Sequence, residues 1–228
     1  MTASIDDGRH PVFEPVLAEL SERHRDEVLT AFAAVEHSRD PVPEAQLAAL
    51  RDATLRRHLR QLLGRVGRTL VPVAGGQWTS GYTDDVAARL TADGWNALPG
   101  IDRAVLVLVL IHSVAIPRSQ GLLGGDSWTS GHPTSADELI RYSQLPRGEI
   151  RPALGRLRAA GLVQAAPSRG RQADIGTAYL PGPALHRLTP AARQRLEHQL
   201  ILAAAPESPL AAAIRARQVV PPDMDGDE

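Results

Sequence analysis

Apolar positions along the chain fall mostly into helical periods, interrupted by proline and glycine and by two short stretches that suit a hairpin. From Glu14 to His37, the residues Val16, Leu17, Leu20, Val28, Leu29, Phe32 and Val35 recur at helical spacing, which predicts a helix with a charged patch in its middle. Pro41 and Pro43 break the chain, and Glu44 to Leu50 reads as a short helix. Asp52 is placed to cap the next helix, in which Leu55, Leu59, Leu62 and Val66 form one apolar stripe while Arg57, Arg60 and Gln61 point the other way. Thr69 to Val73 and Trp78 to Thr83 flank Gly75-Gly76-Gln77 and predict two strands joined by a glycine turn. Thr83 or Asp84 then opens a helix through Ala92, which Gly94 stops.

A second series repeats this order. Ala104 to Ile116 is apolar nearly all round, which predicts a buried central helix ended by Pro117. Ser135 and Glu138 have capping-box spacing and open a helix through Tyr142. Pro146 begins another, whose Ile150, Leu154 and Leu157 face inward before Gly161 ends it. Leu162-Val163, Ala178 to Leu180 and Leu185 to Leu188 are strand candidates, and Thr189-Pro190 starts a closing helix to about Ala204. The expected fold is mainly α with small β-hairpin wings, divided into a flexible N-terminus (1–14), a first module (15–98), a second module (99–205) and a Pro- and acid-rich tail (206–228). Within that tail, Leu210 to Val220 could form a short partner-binding helix.

Composition narrows the function classes. Hydrophobic residues are 43% and charged residues 22%, so a packed core is expected rather than wholesale disorder. Cysteine is absent, which removes thiolate metal sites and cysteine nucleophiles. Met1 to Pro11 carries Asp6 and Asp7 with no apolar run, and Ala104 to Ile111 is shorter than the roughly 20 apolar residues a bilayer span needs, so a cytoplasmic protein off the membrane is expected. The net charge of −1 argues against bulk electrostatic coating of nucleic acid, yet the charge is uneven. Pro43 to Arg68 holds six Arg against two acids, and Pro146 to Arg171 holds six Arg against Glu149 alone.

The stretch ADELIRYSQLPRGEIRPALGRLRAAGLV, followed by ALHRLTPAARQRL, resembles the winged helix-turn-helix of bacterial regulators over Ser135 to Leu200. The resemblance implies a recognition-type helix after Pro146 and places Arg169 and Arg171 at a wing tip, where basic side chains meet phosphates. The helix's inward stripe leaves Gly148, Pro152, Gly155 and Ala159 pointing out, with Arg147, Arg151, Arg156 and Arg158 on the flanks. Base edges are read by hydrogen-bonding side chains, so this smooth face suits a sugar-phosphate backbone or a protein better than sequence readout. The whole layout, with the hairpin TLVPVAGGQWTSGYT after LRRHLRQLLGRVG and the apolar helix RAVLVLVLIHSVAI, is similar to the tandem winged-helix, MukE-like subunits that partner kleisins in bacterial condensin-like complexes. That similarity implies a homodimer that binds a kleisin beside an SMC-type ATPase and touches DNA without sequence preference. Arg57 and Arg60 join the candidate DNA contacts.

Trp78-Thr79-Ser80-Gly81 recurs as Trp128-Thr129-Ser130-Gly131. Trp78 and Trp128 are candidate partner anchors, since Trp is enriched at interface hot spots, although a lid over a core suits the pattern equally. The eight His residues show no metal-ligand spacing, and the Gly121 to Gly131 loop lacks the ending of a phosphate loop. No catalytic site, metal or cofactor is expected, and binding is the expected function. A dimeric regulator of the MarR or PadR kind, with a small-molecule pocket against Ala104 to Ile116, is the alternative.

Overall fold

The computed structural model describes residues 11–95, 97–123, 131–167, 177–204, 206–207 and 209–219. The chain divides into two units, Met1–Ala97 with His186–Thr189, and Leu98–Leu185 with Pro190–Glu228. It is mainly helical, with two small three-stranded antiparallel sheets.

In unit 1, helices α1 (Glu14–Leu17) and α2 (Glu22–His37) replace the single helix expected over 14–37. Ser21, extended at φ −62° and ψ 156°, starts α2, a position where serine is favoured over the helix interior. The break lets α1 fold back, so that Phe13 meets the Phe32 ring edge-on at 5.2 Å and Arg25 bonds Glu14 at 3.2 Å. A two-residue strand β1 (Val42–Pro43) follows. The short helix expected over 44–50 is split by extended Leu47 into a 3-10 turn, Glu44–Gln46, and α3 (Ala48–Arg51).

Asp52 caps α4 (Ala53–Arg65), its carboxylate accepting the Thr54 and Leu55 N–H groups at 2.8 and 2.9 Å. Leu55, Leu59, Leu62 and Leu63 are buried with Val28, Ala31 and Val35 of α2 in one core. Val66, the expected fourth member of the stripe, lies beyond the last helical residue and is 43% exposed. Strands β2 (Arg68–Val73) and β3 (Gln77–Tyr82) form the expected hairpin, with Arg68 opposite Tyr82 and Val73 opposite Gln77. β1 joins the free edge of β3, Val42 opposite Trp78, giving the order β1-β3-β2. α5 (Asp84–Ala92) completes this run.

Unit 1 also takes in a late piece of chain. Leu185 to Leu188, expected as a strand, instead lies in and just beyond a 3-10 turn, Pro183–Arg187. Arg187 donates to the carbonyls of Ser38 at 2.8 Å and Glu36 at 3.0 Å and to Ser80 Oγ at 3.1 Å. Glu36 in turn accepts from Arg68 Nη2 at 2.7 Å and from the Ser80 hydroxyl at 2.6 Å. A Cβ at Gly81 would stand 2.0 Å from the Arg187 carbonyl oxygen, so only glycine allows this close approach.

Unit 2 is built on α6 (Gly100–Leu110), a five-residue π turn (Ile111–Ala115) and α7 (Ile116–Ser119). The helix therefore passes through Pro117 instead of ending there. Proline removes a donor and crowds the carbonyl four residues back, and the wider π turn immediately before it absorbs both. Continuity also changes the length reckoning: among the described residues, Gly100–Ser119 is long and apolar enough to cross a membrane, at 20 residues and a mean hydropathy of 1.7. It packs within unit 2, however, with Val105 and Val109 in the second core and Asp102 and Arg118 in ion pairs with Arg156 and Glu197.

The Ser135 and Glu138 capping box opens α8 (Ala136–Tyr142), after a two-residue strand β4 (Thr134–Ser135). Buried Ser113 and Thr134 share a 3.1 Å hydrogen bond that ties the π turn to β4. Next come α9 (Arg147–Ala159), then β5 (Val163–Ala165) and β6 (Ala178–Pro181), in the order β4-β6-β5. Gly161 leaves α9 at φ 71°, the left-handed conformation that ends a helix with little strain only for glycine. α10 (Pro190–Ala204) begins at Pro190 as expected. The short helix expected within the tail over Leu210 to Val220 is present as α11 (Pro209–Val219), and its Ala211 and Ile214 are buried against Ile201 of α10. These two residues sit at i and i+3, which is enough to dock one helix face.

Candidate nucleic-acid interface

Each unit presents the outward face of the helix that precedes its hairpin. In α9, Ile150, Ala153, Leu154 and Leu157 are buried, which turns Gly148, Pro152, Gly155 and Ala159 to solvent. Pro152 sits inside the helix without an N–H, so the Gly148 carbonyl lacks its usual helical donor. A Cβ at Gly148 or Gly155 would meet nothing within 4 Å, so packing does not account for glycine at either position. Arg147, Arg151 and Arg158 flank this face and are exposed. Arg151 pairs with Asp137 at 3.0 Å, both side chains about two-thirds exposed (66% and 69%), a bond that water and salt weaken readily.

Arg156 is different from its neighbours. Its Nε and Nη2 hold both oxygens of Asp102, at 2.9 Å to Oδ2 and 2.6 Å to Oδ1, and Asp102 is only 2% exposed. The Arg156 guanidinium holds the Asp102 carboxyl below its ordinary range, and the same bond raises the arginine's own pKa. Expected as a phosphate contact, Arg156 has its fork occupied already and fastens α9 to α6.

The stripe of Leu residues in α4 leaves Arg57, Arg60 and Gln61 exposed opposite the core. Trp78 packs against that core, half-buried, and its indole N–H donates to Glu44 at 3.2 Å. Arg56 and Arg60 lie over the ring at 5.2 and 5.8 Å from its centre, and Arg56 also bonds Glu44 and the Leu50 carbonyl. Trp78 therefore fills the lid role, not that of a bare anchor. Trp128, Arg169 and Arg171 lie outside the described residues.

Two groups of consequence escaped the sequence reading. Asp102 has its partner 54 residues away, and Arg187 carried no local signal, with acceptors more than 100 residues back. Burial lowers the Arg187 pKa, with nearby Arg68 adding to the effect and Glu36 opposing it. A shallow depression of about 270 Å³ lies against Pro15, Glu19, Gln61 and Arg65 of unit 1, and its lining includes none of the Ala104 to Ile116 residues expected to line a ligand pocket. Among the described residues, no group of three or more His, Asp or Glu could hold a metal ion.

No protein-family model matches the chain, and no curated protein matches it. Among solved structures, the chain is similar to a conserved hypothetical protein from Chlorobium tepidum, at 14% identity and a TM-score of 0.29, covering 72% of this chain and 96% of that one. At that TM-score the similarity carries no inference about fold or activity.

Proposed function

We propose that the protein is a non-enzymatic, cytoplasmic accessory subunit of a DNA-associated, condensin-like assembly. On this reading both units are winged-helix modules, the chain works as a homodimer, and unit 2 meets the DNA backbone without reading bases while a kleisin-like or SMC-like protein is its partner. Support for the modules comes from their shared order: helix, two-residue strand, helix pair and hairpin, with the short strand added beside the hairpin's second strand each time. The observation that carries the reading is the outward face of α9, where Arg147, Arg151 and Arg158 line one edge of the surface formed by Gly148, Pro152, Gly155 and Ala159. Such a face supplies cations for phosphates and no side-chain hydrogen bonds for base edges.

The test is fluorescence anisotropy of the full chain on labelled duplexes across a salt series. Binding at low salt should fall linearly in log–log form with a slope of at least about −2.7, the release expected for three phosphate contacts. Absence of binding at low salt, alone and with candidate partners, would reject the DNA part of this reading. The second reading is a dimeric regulator of the MarR or PadR kind, and the polar outward face of α4, with Arg57 and Gln61, is what favours it.

A further inference from the structure

We infer that the depression on unit 1 binds a small zwitterion of the amino-acid class. Its ammonium meets Glu19, its carboxylate meets Arg65 and Gln61, and its aliphatic part lies on Pro15 and Val16. This binding is separate from the DNA contact above and does not rest on it.

Two fixed pieces of chain form the walls. One is α1 with the turn after it, which brings Pro15, Val16 and Glu19. Phe13 meets Phe32 edge-on, Arg25 bonds Glu14, and Val16 and Leu17 are buried in the first core, so this wall is in place before any ligand arrives. The other is α4, on which Gln61, Gly64 and Arg65 stand at i, i+3 and i+4 and so share a face. A Cβ at Gly64 would meet nothing within 4 Å, so packing does not call for glycine there. Glycine inside a helix costs about 1 kcal/mol relative to alanine, and what it leaves here is room in the depression.

Opposite charges stand on the two walls. Among the described residues, Gln61 and Arg65 have no side-chain hydrogen bond or ion pair, and Glu19 pairs with His58 and not with Arg65. Glu19 repels an anion, Arg65 repels a cation, and an uncharged apolar molecule displaces water from both and replaces it for neither. A molecule with an ammonium at one end and a carboxylate at the other is favoured by both walls. The volume of about 270 Å³ falls just short of the roughly 300 Å³ at which sites for drug-sized ligands begin, which selects a small metabolite.

His58 sharpens the cation end. Its ring is buried, and Nδ1 lies 2.9 Å from the Thr54 carbonyl, which can only accept, so Nδ1 carries a proton. In the neutral ring Nε2 is then an acceptor, and it faces Glu19 Oε2 at 3.5 Å. Two acceptors thus confront each other at the edge of the depression. An ammonium at Glu19 brings three N–H donors to that pair.

The test is isothermal titration calorimetry of the full chain with L-leucine and with glycyl-L-leucine, which space the same two charges differently. Each is compared with the same molecule lacking its ammonium and with the same molecule lacking its carboxylate. At least one zwitterion should bind at millimolar concentration, and about tenfold or more tightly than either counterpart, as expected when a hydrogen-bonded charge is lost. Glu19→Gln should weaken that zwitterion by about tenfold or more without weakening the counterpart that lacks the ammonium. Arg65→Gln should do the same without weakening the counterpart that lacks the carboxylate. Gly64→Leu should abolish binding by filling the depression, with no loss of thermal stability. Absence of binding by both zwitterions to the native chain overturns the inference. Equal binding of a counterpart overturns it too, as does zwitterion binding that survives Glu19→Gln and Arg65→Gln. Duplex binding is measured apart from these titrations, so failure here leaves the DNA-contact reading standing.

Discussion

Replacing Arg187 with Ala should destabilise unit 1 and spare unit 2, although residue 187 follows most of unit 2 in the sequence. Its guanidinium donates to two backbone carbonyls at 2.8 and 3.0 Å and to the Ser80 hydroxyl at 3.1 Å. Hydrogen bonds from a charged donor contribute about 1.5–3 kcal/mol each, part of which offsets the desolvation of the half-buried cation. A net loss of about 2–4 kcal/mol follows, or a melting shift of about 10 °C or more for a unit of this size. Arg187→Lys should recover only a fraction, since one ammonium cannot reproduce the fork. Amide hydrogen exchange resolved by peptide is the suitable assay. Peptides from residues 68–82 should lose protection in the variant while those from 147–165 keep theirs. Loss of protection confined to 147–165, or a change below about 0.5 kcal/mol, would refute the assignment of this segment to unit 1.

Three other perturbations follow from the packing. Leu154→Ala, at a fully buried position, should cost about 2–5 kcal/mol in urea unfolding with little change in m-value; a cost under about 1 kcal/mol would contradict the inward stripe of α9. Gly81→Ala should cost about 1–3 kcal/mol, because its Cβ would overlap the Arg187 carbonyl, and exchange at residues 68–82 should again report it. Asp102 is held below its ordinary pKa of 3.8, so the stability it contributes is present above that value and is lost as pH falls below it. Thermal melts should show unit 2 of Asp102→Asn less stable at neutral pH and less sensitive to acid below about pH 4, and an unchanged acid profile would contradict the pairing with Arg156.

Local chemistry made much of the fold legible. Asp52, Ser135 with Glu138, and Pro190 mark helix starts that need only neighbouring residues, and the stripes Leu55, Leu59, Leu62 and Ile150, Leu154, Leu157 identify their buried faces. Strands β1 and β4 are two residues each, too short to show alternation, and exist because β3 and β6 have an open edge. The π turn before Pro117 answers a local conflict between an apolar helix that continues and a proline that cannot donate, which no period reveals. At the candidate site, helix phase gave the outward faces of α4 and α9 correctly, because phase depends only on the buried stripe. It could not separate Arg156 from Arg151 or Arg158, because the difference lies in Asp102, a partner distant in sequence and near only after folding. Trp78 likewise became a lid through Glu44, 34 residues earlier.

The most direct measurement of the central claim compares the salt dependence of duplex binding for the native chain and for Arg147→Ala/Arg151→Ala/Arg158→Ala. Each lost phosphate contact should lower the slope magnitude by about 0.9, so the triple variant should lose about 2.7 and weaken by the same factor on unrelated sequences. An unchanged slope would contradict the account, as would a loss confined to one sequence, since either result would mean that α9 does not meet the DNA backbone.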